Sequence, residues 1–177
     1  MERLRRFIWY LAGRLFLLLT LLSLFTVTFY YAMNMANIQV VLKDGMAYRA
    51  QVVMMDADPS ELTKYFMPSF LEQDQVLLAV QQGNSPYKDY NVRGIDHRLE
   101  MEWMWCWPWD NTASANFVES VPKIDGRIKS SLRQQAEEAD PSRVYPPDWT
   151  SGRYVATLVR VNGRWKIASI KLLETIQ

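Results

Sequence analysis

The chain has 177 residues, 20 Lys/Arg against 19 Asp/Glu, a single histidine and a single cysteine. One cysteine excludes an intrachain disulfide and a thiolate metal cluster, and one histidine excludes a histidine-rich metal site. The charge is unevenly spread. Four of the twenty basic residues and one of the nineteen acidic ones precede residue 15, leaving sixteen basic and eighteen acidic residues beyond it. That slightly acidic remainder argues against nucleic acid as a partner.

The first element is the tract Leu15–Met33, LFLLLTLLSLFTVTFYYAM, which carries neither charge nor proline. As a helix it is long enough to cross the hydrocarbon core of a bilayer. Arg3, Arg5, Arg6 and Arg14 lie before it, and the positive-inside rule assigns that short tail to the cytoplasm and the rest of the chain to the other side. Phe7, Trp9 and Tyr10 on one flank and Phe29, Tyr30 and Tyr31 on the other take the places of interfacial aromatic belts. A cleaved signal peptide is the competing reading. The apolar run is too long for one, and its exit has no clear small-x-small cleavage site.

The expected organisation is a cytoplasmic basic tail over 1–14, a transmembrane helix over 15–33, a membrane-proximal connector over 34–45 and an extracytoplasmic domain over 46–177. The connector reads either as a strand or stalk or as continued helix, and the pattern favours helix up to Met55. Asp58-Pro59-Ser60-Glu61 is a helix start, with a capping Asp, Pro in the first turn and Glu third after the Asp. Leu62, Tyr65, Phe66, Phe70 and Leu71 follow at helical spacing, and Gln81–Val92 is turn-rich.

Ile95–Trp109 is the strongest predicted strand. Ile95, His97, Leu99, Met101, Trp103, Trp105, Trp107 and Trp109 alternate with a charged face that begins Asp96, Arg98, Glu100, Glu102. Asp110–Thr112 reads as a turn, Ala115–Val121 as a returning strand and Lys123–Gly126 as a further turn. Ile128, Leu132, Ala136 and Ala139 then predict an amphipathic helix ending near Asp140-Pro141. Tyr154–Val161 and Arg164–Leu173 flank Asn162-Gly163, the strongest short-range hairpin signal.

Recognisable chemical motifs are mostly absent from the sequence. There is no HExxH, no glycine-rich phosphate loop, no GxSxG and no calcium loop. His97, on the apolar strand face, is either a core histidine with its polar atoms satisfied or an acid/base group in a concave site. Asp96, Glu100 and Glu102 have Arg98 among them and read as a solvated, charge-balanced face. Arg127, Lys129 and Arg133 lead into Glu137, Glu138 and Asp140, again a solvated face by default. Trp103, Trp105, Trp107 and Trp109 are the most unusual cluster in the chain, and either fill the core or line a pocket or interface. Cys106, between Trp105 and Trp107, reads as a small buried hydrophobe.

The C-terminal stretch Tyr154–Leu173, YVATLVRVNGRWKIASIKLL, resembles the closing hairpin of the NTF2-like superfamily. The resemblance implies an α+β fold: a cone of helices packed on a curved antiparallel sheet, behind the transmembrane helix. An anchor before such a domain is similar to the bitopic inner-membrane assembly subunits of conjugative and type IV secretion machines, their Gram-positive counterparts and some sporulation-associated membrane proteins. The implied function is a non-enzymatic, single-pass scaffold or assembly component of an envelope complex. Its partners would be membrane lipid, other membrane subunits and further copies of itself, with no cofactor. The alternative is a small hydrophobic-ligand binding protein, or an isomerase-like enzyme, with a tryptophan-lined pocket. No catalytic residue of the superfamily can be matched here.

Overall fold

The computed structural model describes residues 2–176; Met1 and Gln177, the outer bounds of the expected tail and domain, lie outside it. Its first element is one unbroken helix, α1, over Glu2–Met55, about 80 Å long at 1.5 Å per residue. No proline interrupts it. Its surface changes character part-way. The side chains before Asn34 are almost all exposed, and the 18-residue window of highest hydropathy has none of its residues buried. From Asn34 onward a stripe at spacings of three and four goes under: Asn34, Ile38, Leu42, Gly45, Met46, Ala50 and Val53. By length and composition the first part is long and apolar enough to cross a membrane. The second part is a core helix.

The hydroxyls of the apolar part obey the same solvent logic. Thr20, Ser23, Thr26 and Thr28 each donate to the carbonyl four residues back, at 2.8 to 2.9 Å. None therefore leaves its O–H without a partner. The helix stops where Asp56 takes a positive φ of 56°, the left-handed conformation that closes helix C-termini.

A 3-10 turn over Pro59–Lys64 follows, started by Asp58, whose carboxylate accepts from the Ser60 N–H. Two short helices come next, α2 over Pro68–Leu71 and α3 over Gln75–Gln81. The strands are β1 over Tyr90–Trp105, β2 over Thr112–Ile128, β3 over Gly152–Val161 and β4 over Arg164–Thr175. Helix α4, over Arg133–Ala139, and a 3-10 turn over Pro141–Val144 fill the excursion between β2 and β3. The sheet is an antiparallel meander in the order β1-β2-β3-β4.

That topology corrects the expected cone. The sheet is open, with β1 and β4 as its two edges, and it neither closes nor curls into the NTF2-like shape. The domain is two-layered. The core half of α1 lies across one sheet face, burying Ala115, Phe117, Ala156, Leu158 and Ile167 beneath Ile38, Leu42 and Met46. The Asn162-Gly163 turn does form, with φ of 51° and 79°, the two positive values of a type I′ hairpin. What resembles the superfamily is thus a local hairpin.

The segment read as a connector is part of the packing, since Ile38 and Leu42 are fully buried. Gly45 lets α1 approach the C-terminal hairpin. A Cβ there would lie 2.9 Å from Tyr65 Cβ and 3.1 Å from Ile167 Cδ1. Beside it, Ile167 N–H donates to Tyr65 O at 2.7 Å and Met67 N–H to Ile167 O at 2.9 Å. This short bridge covers part of the β4 edge.

Two smaller expectations also change. Lys123–Gly126 is strand, not turn: β2 runs on to Ile128. Between Asp96/Lys123 and Arg98/Ser120 the register skips one residue more on β2 than on β1. Such an irregularity next to Pro122 is where a strand accommodates a proline. The helix expected from Ile128 to Asp140 is confined to Arg133–Ala139, because Ile128 still belongs to β2.

Candidate functional site

The sites the sequence pointed to separate into three places. The first is the β1–β2 hairpin. Strict alternation from Ile95 would put all four tryptophans on the buried face. The register instead shifts between Met101, opposite Phe117, and Trp103, opposite Asn116. Glu102 is the extra residue of a bulge, and beyond it the two faces exchange. Met101 and Met104 pack on the core. Trp103, Trp105, Trp107 and Trp109 are 58, 44, 41 and 65% exposed.

The four rings form a continuous ladder. Trp103 stacks on Trp105 (5.9 Å, 4°), Trp105 meets Trp107 edge-on (5.2 Å, 81°) and Trp107 stacks on Trp109 (5.3 Å, 8°). The turn holding them is ordered by its own bonds. Asp110 N–H donates to Trp107 O at 3.1 Å, and Asp110 Oδ2 accepts from Trp107 N–H at 3.3 Å. The turn is also tied to α1 and to the second hairpin. Asn34 Nδ2 donates to Pro108 O at 3.3 Å, Arg160 Nη2 donates to Asn34 Oδ1 at 2.5 Å, and Arg160 N–H donates to Asn111 O at 2.8 Å. The Arg160 guanidinium lies 4.6 Å from the centre of the Trp165 ring. The tips of both hairpins therefore sit at the end of the domain where α1 enters it.

Cys106 is buried at the base of this turn, its Sγ 3.3 Å from Trp107 O. Burial pushes its thiol above the ordinary range, with Arg160 opposing and Asp110 reinforcing the shift. A water-soluble maleimide should leave Cys106 unmodified in the folded protein and label it fully in denaturant. Mass spectrometry of the two samples reads the difference, and equal labelling would show the turn to be open.

The second place is the middle of the sheet. His97 Nε2 and Glu119 Oε1 are 3.0 Å apart, with both side chains almost completely buried. His97 is thus a core histidine whose partner is a carboxylate one strand away. Asp96 pairs with Arg98 at 2.6 Å on the exposed face, and Arg153 joins Glu102 at 2.9 Å to Glu174 at 3.0 Å. These are solvated, charge-balanced groups.

The third place is a cavity of about 570 Å³ that no sequence signal marked. It opens between α1, the α2–α3 segment, the Pro147–Thr150 loop and the sheet, and Met46, Arg49, Phe70, Tyr87, Trp149 and Tyr154 are among its lining residues. Arg49 and Asp74 form a two-pronged ion pair in its wall, 2.6 Å from Nε to Oδ2 and 3.0 Å from Nη2 to Oδ1. Burial, reinforced by the Asp148 carboxylate, pushes the Tyr87 phenol up to about 12. Burial and then Glu119 raise Tyr154, against Arg49. Both phenols stay protonated at neutral pH, so they serve as hydrogen-bond groups rather than bases. Neither His97 nor any ladder tryptophan lines this cavity. Among the described residues, no group of three or more His, Cys, Asp or Glu side chains is arranged to hold a metal ion.

Compared with protein-family models, with curated proteins and with solved structures, the chain matches none of them.

Proposed function

We propose that the protein is a single-pass, membrane-anchored scaffold or assembly component of an envelope-associated complex. In this reading anchor and domain form one rigid body. The observation that carries it is the continuity of α1: an apolar, fully exposed stretch passes without a break into a buried core helix at Asn34. A membrane that holds such a helix also sets the orientation and height of the sheet. Confinement to a surface then raises the effective concentration for assembly. The basic tail before the span favours a cytoplasmic N-terminus. The narrower assignment to conjugative or type IV secretion rested on the cone and keeps only the anchor for support.

Affinity purification of the crosslinked, detergent-solubilised protein should recover further envelope chains or additional copies. Recovery of the monomer alone would overturn the assembly reading. Orientation is checked separately with Glu2→Cys and Asn84→Cys, both at exposed positions. An impermeant maleimide added to intact cells should label Asn84→Cys and spare Glu2→Cys; the reverse pattern would invert the layout.

One observation favours a second reading. The cavity beside the Arg49–Asp74 pair has a mostly apolar lining and the size of a small-molecule site. A hydrophobic-ligand binding role would use that cavity and not the tryptophans.

A further inference from the structure

We infer that the tip of the tryptophan hairpin, Trp107 and Trp109, is seated in the headgroup–acyl boundary of the bilayer that α1 crosses. The lipid interface then acts as a second attachment point for the domain. The inference rests on the anchor reading above.

Height along α1 sets where the tip lies. Leu15–Met33 spans about 28 Å as helix, close to the roughly 30 Å of a hydrocarbon core, so the core ends near Met33. Asn34 is the next residue, and its side chain bonds to Pro108 O. Pro108 lies between Trp107 and Trp109, so these rings are held at the level where hydrocarbon gives way to headgroups. That is the depth tryptophan prefers, because its ring is apolar and its indole N–H needs a polar partner. The neighbouring chemistry suits the same place. Arg164, exposed just past the second hairpin tip, brings a cationic side chain to this end, where phosphate groups would meet it.

A soluble surface would not retain such a patch easily. Four exposed tryptophans in ring-to-ring contact form a contiguous apolar area of the kind that marks an interaction site. The bulge at Glu102 turns Trp103 and Trp105 out of the core, while Met101 and Met104 keep the buried face filled. The ladder runs from the open sheet face down to the tip, so immersion should fall from Trp109 and Trp107 towards Trp103.

The test uses the full-length protein in phosphatidylcholine vesicles, with Trp9→Phe to silence the tryptophan near the other membrane face. Flotation is measured first, then tryptophan emission with plain lipids and with lipids brominated high on the acyl chain. The expected result is flotation with the vesicles and loss of up to about a third of the emission to bromine, because two of the six tryptophans left by Trp9→Phe lie at the interface. Trp107→Phe with Trp109→Phe should remove most of the bromine-sensitive signal, and Trp103→Phe with Trp105→Phe should leave most of it. All four positions are exposed, so the substitutions spare the core. A protein that floats but whose emission ignores brominated lipid overturns the inference and leaves the anchor standing. Shielding from both bromine and aqueous acrylamide also overturns it, since a second copy or another protein would then cover the ladder. Failure to float overturns the anchor reading and this inference together.

Discussion

Asp74→Ala is expected to lower the stability of the domain by about 3–5 kcal/mol, the usual consequence of leaving a buried charge without its partner. The Arg49 and Asp74 side chains are only 12% and 4% exposed. The guanidinium is held in α1 at the cavity wall, where the carboxylate of Asp74 neutralises it through two bonds. The same carboxylate caps α3, accepting from the Val76 N–H at 3.0 Å, and loss of a cap adds about 1 kcal/mol. Asp74→Asn keeps the cap and should cost less. Arg49→Met combined with Asp74→Asn removes the stranded charge and should recover most of the loss, because apolar replacement of a buried ion pair is often close to neutral. Denaturant titration of the detergent-solubilised protein, followed by the signal of the sheet, measures all three. A cost below about 1 kcal/mol for Asp74→Ala would show the pair to be solvated.

The second large effect separates the two halves of α1. Leu42→Ala should destabilise the domain by about 2–5 kcal/mol, the range for truncating a fully buried leucine. Leu22→Ala should stay within about 0.5 kcal/mol of the parent in the same titration, as an exposed position does. Leu42 is 0% exposed and Leu22 62%, although both are leucines of one helix. A negligible cost at Leu42 would mean that the second half of α1 is not part of the core, and the proposed rigid link between the apolar segment and the sheet would go with it.

Much of the fold was legible from local chemistry. The uncharged run Leu15–Met33 could only be a long apolar helix, and its hydroxyls bond within it. Asn162-Gly163 accepts the two positive φ values that a tight hairpin demands, which few other residue pairs tolerate. The buried placement of His97 followed from alternation. Its partner Glu119 did not, because cross-strand pairing depends on a register that no single strand reveals.

The misreadings share a cause. Alternation assumes an uninterrupted ladder, and the bulge at Glu102 violates it just where both faces become apolar, so that no change in residue type records the reversal. Pro122 and Gly126 carry the composition of a turn, yet β2 passes through both, one next to a register shift and the other where Val92 and Pro146 leave little room for a side chain. The cavity draws its walls from α1, the α2–α3 segment, the Pro147–Thr150 loop and the sheet, which are distant in sequence.

The sequence by itself determined the membrane-length helix, the polarity of its flanks, the C-terminal hairpin and the absence of a recognisable catalytic motif. Each depends on neighbouring residues and on the solvent they meet. Tertiary structure alone decided that the sheet is open, that the second half of α1 is its core helix and that the tryptophans face outward beside the point where α1 enters the domain. Those depend on register, bulges and contacts between distant segments, where a shift of one residue reverses which side of the chain is buried.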